Sequence, residues 1–205
     1  MFYAPMRATG CDHPFDDKAF VFEPKLSGQR LILLFINGQV RLYTRHQTDV
    51  TRQYPELHNV PINDAADAVF DGELTYVNPD TGLLEPRTVI ERYRMLKIPK
   101  IREGAAQYPL RYFVFDVLYY NGEDMRNRPL SERKKLLDDI LEENAYYRRV
   151  TSVETKGVAL FEAVKWYGLE GMIAKRKDSL YTDACNDDWQ AIIAAPSTIT
   201  LRTSK

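Results

Sequence analysis

The chain has 205 residues, of which 44% are hydrophobic, so it can bury a core, and its length fits one globular domain or one domain and a fragment. Its 28 basic and 29 acidic residues give a formal net charge of -1, which excludes a protein that is basic overall, so any polyanion must bind a local patch. Cys11 and Cys185 fit neither a disulfide framework nor a zinc site, and the lack of a signal peptide or a membrane-length apolar run predicts a cytoplasmic protein with no membrane contact.

The sequence predicts a series of β-strands that begins near the N-terminus. Stretches rich in β-branched, aromatic and other apolar residues predict strands at 20–22, 31–35, 39–44, 68–77 and 110–120. Asn37-Gly38 indicates a two-residue hairpin turn, because both positions of that turn need positive φ, and Asn121-Gly122 is a second turn of this kind. Lys25 falls in the segment between the first two stretches, so we expect it between strands.

Helices are predicted between and after these strands, at 86–96, 131–143 and 158–167. In the second helix, Ser131 is the expected N-cap, Glu132 lies in the first turn, and leucine and isoleucine residues share one face. The third helix is expected to end at Gly168. Antiparallel hairpins mixed with helices predict an α+β fold.

The segment around Lys25 carries the strongest local signal. Lys25, Gly28 and Arg30 follow a K-x-x-G-x-R spacing, and Glu23 lies two residues before the lysine. An ammonium group is not a nucleophile, so a lysine that attacks phosphorus must lose its proton, which nearby cations or burial favour. Arg30 and Lys175 are the candidate neighbouring cations. Taken alone, the segment also fits a surface lysine in a glycine-containing turn.

Further short motifs follow in order: Thr44-Arg45-His46, Asp71-Gly-Glu-Leu74, Phe115-Asp-Val-Leu-Tyr119 with Asn121-Gly122, and Glu170-Gly-Met-Ile-Ala-Lys175. Each alone fits a turn, a buried strand or a helix-to-strand connection, although a buried strand does not explain Asp116 within its apolar run. Together with the lysine segment, they resemble motifs I, Ia, III, IIIa and IV of the covalent nucleotidyltransferases. The residues within these motifs are most similar to those of small bacterial or phage ATP-dependent DNA ligases.

This resemblance covers residues 4–189 and implies an ATP-grasp-like nucleotidyltransferase fold, that of a DNA ligase adenylation domain, with antiparallel sheets and packed helices. It implies that Lys25 forms a covalent lysyl-AMP, and that the catalytic residues are Lys25, Arg30, Glu170 and Lys175. It further implies that ATP is bound by Glu23, Lys25, Arg30, Arg45, Glu73, Phe115 and Lys175, and that Glu73 and Glu170 hold Mg²⁺ or Mn²⁺. Phe115 would stack on adenine. The expected partner is nicked double-stranded DNA, or RNA, bound by a monomer.

Two features depart from the family pattern. Ser27 stands where motif I has an aspartate, which removes a negative charge near the nucleophile and the metal. After Trp189 the family pattern W-x-K-x-K has two lysines, whereas this sequence has Ala191 and Ile193, which cannot place positive charge on a phosphate. We therefore expect a nucleotidyltransferase domain over 1–190 and an atypical tail over 191–205, with no OB-fold, because such a barrel cannot fit into so few residues.

Three functions stay open at this point. The first is an ATP-dependent DNA ligase whose activity is impaired by the altered motif I and the missing lysines. The second is a catalytically degenerate module that binds a nucleotide or nucleic acid, which Ser27, Ala191 and Ile193 favour. The third is an RNA ligase or a capping-type nucleotidyltransferase, which base preference would separate from the first.

Overall fold

The computed structural model describes residues 3–62 and 66–194, which form two β-sheets with helices packed against them. The strands are β1 (Arg7–Gly10), β2 (Asp17–Lys25), β3 (Gln29–Ile36), β4 (Gln39–Thr44), β5 (Ala68–Thr75), β6 (Arg111–Tyr120), β7 (Glu123–Asp124), β8 (Tyr147–Arg149), β9 (Val153–Thr155), β10 (Gly171–Arg176) and β11 (Cys185–Ile193). The helices are α1 (Pro86–Tyr93), α2 (Ile98–Gln107), α3 (Leu130–Ile140) and α4 (Gly157–Trp166). The predicted α+β class is confirmed.

The first sheet has the strand order β1-β11-β10-β2-β9 and is antiparallel except between β1 and β11. Its apolar face carries Phe22, Met172 and Ile192, and α4 packs on this face. Side chains alternate along a strand, so the other face carries Glu23 and Lys25 of β2 together with the residues that pair with them on β10. One face therefore supplies a core and the other is left for a site.

The second sheet has the strand order β4-β3-β5-β6-β7, and β8 also pairs with β6, in parallel. In the antiparallel pairing of β3 with β5, Arg30 lies opposite Glu73. Leu31, Leu33, Phe70 and Val114 belong to the main hydrophobic core of this sheet, which also includes residues of α1 and α3.

Most predicted elements are present, with ends that differ from the predicted ones by at most three residues. The hairpin turn is confirmed by positive φ angles of 50° at Asn37 and 72° at Gly38, and Asn121 and Gly122 also have positive φ. The motif ending in Lys175 does open a strand, β10. Hydrophobic periodicity and turn residues are local signals, and these elements are the ones they determine.

Two local predictions were wrong. Lys25 is the last residue of β2 and does not lie between strands. Ser131 is not an N-cap, because α3 begins at Leu130 directly after Pro129, whose fixed φ suits a helix start. The backbone N–H of Ser131 instead donates to the carbonyl of Lys177, at 2.9 Å.

Several elements were missed, chiefly α2, β1 and β11. Helix α2 contains Pro99 and Gly104, which both disfavour a helix interior in sequence terms. Tertiary contact overrides this, because a side chain at Gly104 would collide with Arg92 and Met95, and the carbonyl of Gly104 accepts a hydrogen bond from Arg92 at 3.0 Å. The short strands β7, β8 and β9 gave no periodic pattern to detect.

The predicted tail begins inside β11, which continues to Ile193, and the backbone N–H of Ala194 donates to the carbonyl of Glu170 at 2.9 Å. The rest of that tail, 195–205, lies outside the described residues. Within the described parts of the chain, no helix combines the length and the apolar composition that crossing a bilayer would need.

Candidate active site

A cleft of about 1210 Å³ lies between the two sheets. Its walls come from β2, β10 and β11 of the first sheet, from β3, β5 and β6 of the second, and from α1 and the segment that follows β4. All the residues that the sequence predicted for the site line this cleft: Glu23, Lys25, Arg30, Arg45, Glu73, Phe115, Glu170 and Lys175. Residues distant in sequence therefore share one cavity, while their individual roles stay predictions.

One end of the cleft, which we call the inner end, is formed by Glu23, Lys175, Phe115 and Trp189. Glu23 and Lys175 are each 2% exposed, and their carboxylate and ammonium atoms are 2.6 Å apart. The Lys175 ammonium also lies 4.2 Å from the ring centroid of Phe115 and 4.2 Å from that of Trp189. A buried cation is thus held by one carboxylate and two aromatic rings.

Burial and pairing act in opposite directions on the two charges of the inner end. Burial alone would raise the pKa of Glu23, but Lys175 and Lys134 outweigh it and hold the pKa of Glu23 below its usual range. Burial dominates for Lys175 and lowers its pKa, although Glu23 opposes this. Lys134 of α3 forms an ion pair with the second oxygen of the Glu23 carboxylate.

The opposite end, which we call the outer end, is formed by Lys25, Ser27 and Glu170. The Lys25 ammonium forms an ion pair with Glu170, and the two side chains are 33% and 48% exposed. Burial would raise the pKa of Glu170, but hydrogen bonds from Lys25 and Ser27 and the charge of Lys25 keep the pKa below its ordinary value. The hydroxyl of Ser27 therefore supports the carboxylate next to the lysine.

Glu73 also lines the cleft, near enough to Lys25 and Glu170 to be affected by their charges, and it differs from the carboxylates of both ends. Burial raises the pKa of Glu73 to about 8, and Asp71 and Glu170 add to the rise while Arg30 and Lys25 oppose it. Within the described ranges, the Glu73 carboxyl has no hydrogen bond or ion pair to another side chain. A half-buried carboxyl in a cleft, with a raised pKa and no side-chain partner, suits a group that binds a ligand.

The predicted metal residues, Glu73 and Glu170, are close enough for the charge of one to affect the titration of the other. Mg²⁺ is commonly bound by one or two carboxylates together with substrate phosphates, so this pair fits such an ion. Residues 3–62 and 66–194 contain no group of three or more histidine, cysteine, aspartate and glutamate side chains that could bind a metal without other ligands.

Arg30 is fixed to the wall of the cleft by Asp71. Its guanidinium donates to both carboxylate oxygens of Asp71, at 3.0 and 2.6 Å, and to the carbonyl of Met6 at 2.7 Å. The hydroxyl of Tyr181 donates to the same carboxylate at 2.6 Å. Arg30 and Lys175, the predicted cations beside Lys25, thus each pair with a carboxylate of their own, Asp71 and Glu23, while Lys25 pairs with Glu170. Their effect on Lys25 stays a prediction.

Arg45 lies on the rim of the cleft and is exposed. Its Nε donates to the ring of the neighbouring His46 at 2.9 Å, and among the described residues it has no ion pair with a carboxylate. A guanidinium without a carboxylate partner is free to bind a phosphate.

The structure accounts for Asp116, which the sequence left unexplained. Asp116 and Arg133 are completely buried and form a two-contact ion pair at 2.7 and 2.8 Å. Arg133 also donates to the carbonyls of Arg128 and Ser179. The pair joins β6 to α3 and is part of the structural support behind the inner end.

Sequence reasoning missed the supporting residues Asp71, Lys134 and Tyr181, and named Trp189 only as a marker. A usable signal existed for two of the missed contacts. Asp71 and Asp116 interrupt apolar strands, and an acid at such a position needs a basic partner. The choice among the many lysines and arginines of the chain depends on tertiary structure.

The positions without lysine lie on the cleft side of β11. Ala191 pairs with Ile173, which lines the cleft, and Ile193 pairs with Gly171, whose other partner is Lys25. The side chain of Ile193 is 59% exposed. The strand thus brings an aliphatic residue, and no cation, to the outer end.

Comparison with known proteins gives consistent matches. Residues 5–190 match a family described as "ATP dependent DNA ligase domain". The SPbeta prophage-derived DNA ligase-like protein LigB of Bacillus subtilis (strain 168) is 33% identical over 181 residues, which are 88% of this chain and 63% of that protein. The ligase domain of M. tuberculosis LigD has a TM-score of 0.73 and 26% identity, over 92% of this chain and 58% of that one.

A mycobacterial DNA ligase D in complex with ATP and MES has a TM-score of 0.71 and 24% identity, over 93% of this chain and 60% of that one, and shows the same fold. This chain therefore spans between 58% and 63% of the length of these three proteins.

Proposed function

Because the chain belongs to the family of ATP-dependent DNA ligase domains, we propose that it transfers AMP from ATP to nicked double-stranded DNA through a covalent lysyl-AMP on Lys25. The observation that carries this proposal is the arrangement of one cleft with Lys25 at its outer end and a buried aromatic and carboxylate site at its inner end. Glu23 and Lys25 are two residues apart on the same face of β2, about 7 Å, so a single mononucleotide can contact both.

In the first step, the neutral amine of Lys25 attacks the α-phosphorus of ATP. A nitrogen–phosphorus bond forms, the bond from the α-phosphorus to the bridging oxygen breaks, and pyrophosphate leaves. Lys25 must lose one proton before the attack and a second as the nitrogen–phosphorus bond forms, and Glu170 is the carboxylate in direct contact with its ammonium. The geometry of this ion pair supports Glu170 as the acceptor of the first proton.

In the second step, a 5′-phosphate oxygen of the nick attacks the same phosphorus, and the nitrogen–phosphorus bond breaks as the nitrogen takes up a proton, which regenerates the Lys25 amine. A 3′-hydroxyl then attacks the 5′-phosphate, loses its proton, and displaces AMP as the nick is sealed. The exposed outer end is where a polymeric substrate could approach, because Lys25 and Glu170 are only partly covered.

The remaining residues take roles that follow from their positions. Phe115 offers a rigid aromatic face for the adenine base, and Glu23 offers an acceptor to its amino group. Arg30 lies opposite Glu73 in the register of β3 and β5, and these two residues would contact the ribose and the neighbouring phosphate. Arg45 is available to a phosphate. Glu73 and Glu170 would hold Mg²⁺ or Mn²⁺, which when bound neutralises phosphate charge.

A second function is favoured by one specific observation, the aliphatic residues on the cleft side of β11. Since Ala191 and Ile193 bring no cation to the outer end, ATP could bind without being transferred, and the chain would be a nucleotide-binding module. Nucleotide transfer to RNA is the third possibility, and the substrate experiment below includes it.

The deciding experiment is incubation with α-labelled ATP and Mg²⁺, followed by denaturation and detection of label on the protein. We expect label on the wild type, none on Lys25→Ala, and normal labelling of Lys18→Ala, a control lysine on the same strand but outside the cleft. ATP binding without any label would establish the binding module. Label that survives Lys25→Ala would place the nucleophile elsewhere. Labelled protein is then offered nicked DNA and nicked RNA, and release of the label identifies the acceptor.

A further inference from the structure

Lys134 contacts the site from outside the cleft. It lies on α3, it is largely buried, and it is not among the residues that line the cavity. Its ammonium binds Oε1 of Glu23, while Lys175 approaches Oε2 from the cleft side. The two oxygens of one buried carboxylate are therefore held by two lysines on different elements.

The position of Lys134 is fixed by its neighbour in sequence. Arg133 is completely buried and is held by Asp116 of β6 and by two backbone carbonyls. This anchors α3 to the second sheet, whereas Glu23 belongs to the first sheet. The charges that act on Glu23 are thus Lys175 and Lys134. Lys134 is affected in turn by Asp116, which pairs with Arg133, and by Asp138 of its own helix.

A carboxylate held in this way still has acceptor capacity. Each oxygen of an ionised carboxylate can accept two hydrogen bonds, so Glu23 can accept one more on each oxygen. The 6-amino group of adenine is a donor and complements such an acceptor, whereas the 6-oxo group of guanine or hypoxanthine is an acceptor and is repelled. The preference for a 6-amino group over a 6-oxo group therefore depends on both the orientation and the ionised state of Glu23.

We propose that Lys134 is a positioning residue that orients Glu23 for the 6-amino group of the purine, and so sets the preference for adenosine over 6-oxopurine nucleotides. This inference rests on the proposed function, in which the inner end receives the base. Lys134 is also one of the two lysines that keep the pKa of the buried Glu23 low. Without it, the carboxyl can rotate and take up a proton, and a protonated carboxyl can donate to a 6-oxo group.

The test compares the labelling of Lys25 by α-labelled ATP and by α-labelled inosine triphosphate, which differs at position 6 and carries no 2-amino group. The measured quantity is the ratio of kcat/KM for the two nucleotides in the wild type, Lys134→Met, Lys134→Arg and Lys177→Met. We expect Lys134→Met to lower this ratio by about tenfold, through a higher KM for ATP. Removal of a residue that orients a metal ligand has an effect of similar size. Lys134→Arg should restore the ratio, because it retains a cation that can bind Glu23.

Lys177→Met is the matched control. Lys177 is also partly buried and paired with a glutamate, Glu154, but both lie outside the cleft. This variant should keep the wild-type ratio. An unchanged ratio in Lys134→Met, whatever its rate with ATP, would overturn the proposal and make Lys134 a residue of stability alone. If that variant does not fold, Lys134→Gln, which offers one neutral donor, is measured in its place.

Failure of this inference is distinguishable from failure of the proposed function. If the wild type binds ATP but is not labelled, the transfer reaction fails while base preference can still be measured. Equilibrium titration of the unlabelled protein with ATP and with inosine triphosphate then gives the ratio of dissociation constants for the same four proteins. A ratio that is equal in the wild type and Lys134→Met would again overturn the role of Lys134.

Discussion

The two ends of the cleft are built from the same kinds of charged side chain and differ in how those side chains are held. At the inner end, Glu23 and Lys175 are almost fully buried and each has several partners. At the outer end, Lys25 and Glu170 are partly exposed and form one pair. Buried charges cannot separate without a large cost, whereas an exposed pair separates easily. The residues proposed to bind the base are thus preorganised, and Lys25, the proposed nucleophile, is free to change partners.

The largest expected effect comes from breaking the support behind the inner end. Arg133→Met leaves Asp116 buried without its partner, which should lower the free energy of unfolding by about 3–5 kcal/mol. Arg128→Met is the control, because Arg128 forms an exposed pair with Glu123, and it should leave the free energy of unfolding almost unchanged. Chemical denaturation of both variants checks this. Equal losses of stability in the two variants would mean that burial does not determine how much each ion pair contributes.

The next effect concerns the aromatic part of the inner end. Phe115→Ala removes the ring that faces the cleft, and the dissociation constant for ATP should rise by the equivalent of about 1–3 kcal/mol. Phe161→Ala, which removes a partly buried ring of α4 outside the cleft, should leave the affinity unchanged. Isothermal titration gives both values. An ATP affinity that survives the loss of Phe115 would place the base elsewhere.

A third prediction uses Glu73, which belongs to neither end. A carboxyl whose pKa is raised to about 8 in the folded state keeps its proton where the unfolded chain has already lost it. Folding stability should therefore fall as the pH rises from about 4.5 to 8, by up to about 1.4 kcal/mol per pH unit. Glu73→Gln should flatten this part of the profile, and Glu91→Gln on the exposed face of α1 should not. Denaturation midpoints of the wild type and both variants, measured across this pH range, test the prediction.

The smallest effect on stability is expected at the outer end. Glu170→Ala removes only a partly exposed pair, so the free energy of unfolding should change by less than about 1 kcal/mol, while labelling of Lys25 should slow clearly. Thermal melting and labelling of the same preparation measure the change in stability and the change in labelling rate. A large loss of stability in this variant would contradict the contrast between the two ends.

The sequence predicted the elements better than it predicted the contacts. Asn37-Gly38 and the strand after it were located because turn chemistry and periodicity are local. The ordered motifs also identified residues that meet in one cleft. Their pairings depend on which strands are neighbours, so the partner of Lys25 was not predicted, and neither was the role of Asp71 in holding Arg30.

Helix α3 shows where the local signal ended. Its apolar positions were predicted, and Leu137 and Ile140 are indeed buried. Arg133 shares that face, since it lies four residues before Leu137 and seven before Ile140, but a buried arginine is rare and only the position of Asp116 on β6 explains it. A pattern of apolar residues predicts which face of a helix is buried, but it does not predict which charged residues form an ion pair on that face.

The contact between Met6 and Tyr181 has a consequence for the order in which the protein folds. The backbone N–H of Met6 donates to the Tyr181 hydroxyl at 3.0 Å, across 175 positions of sequence, and β1 pairs with β11 over a similar separation. Closing such a long loop is entropically costly and slow. During synthesis, the full set of contacts that holds Arg30 therefore cannot form until Tyr181 has left the ribosome, so this wall of the cleft cannot be completed before that point.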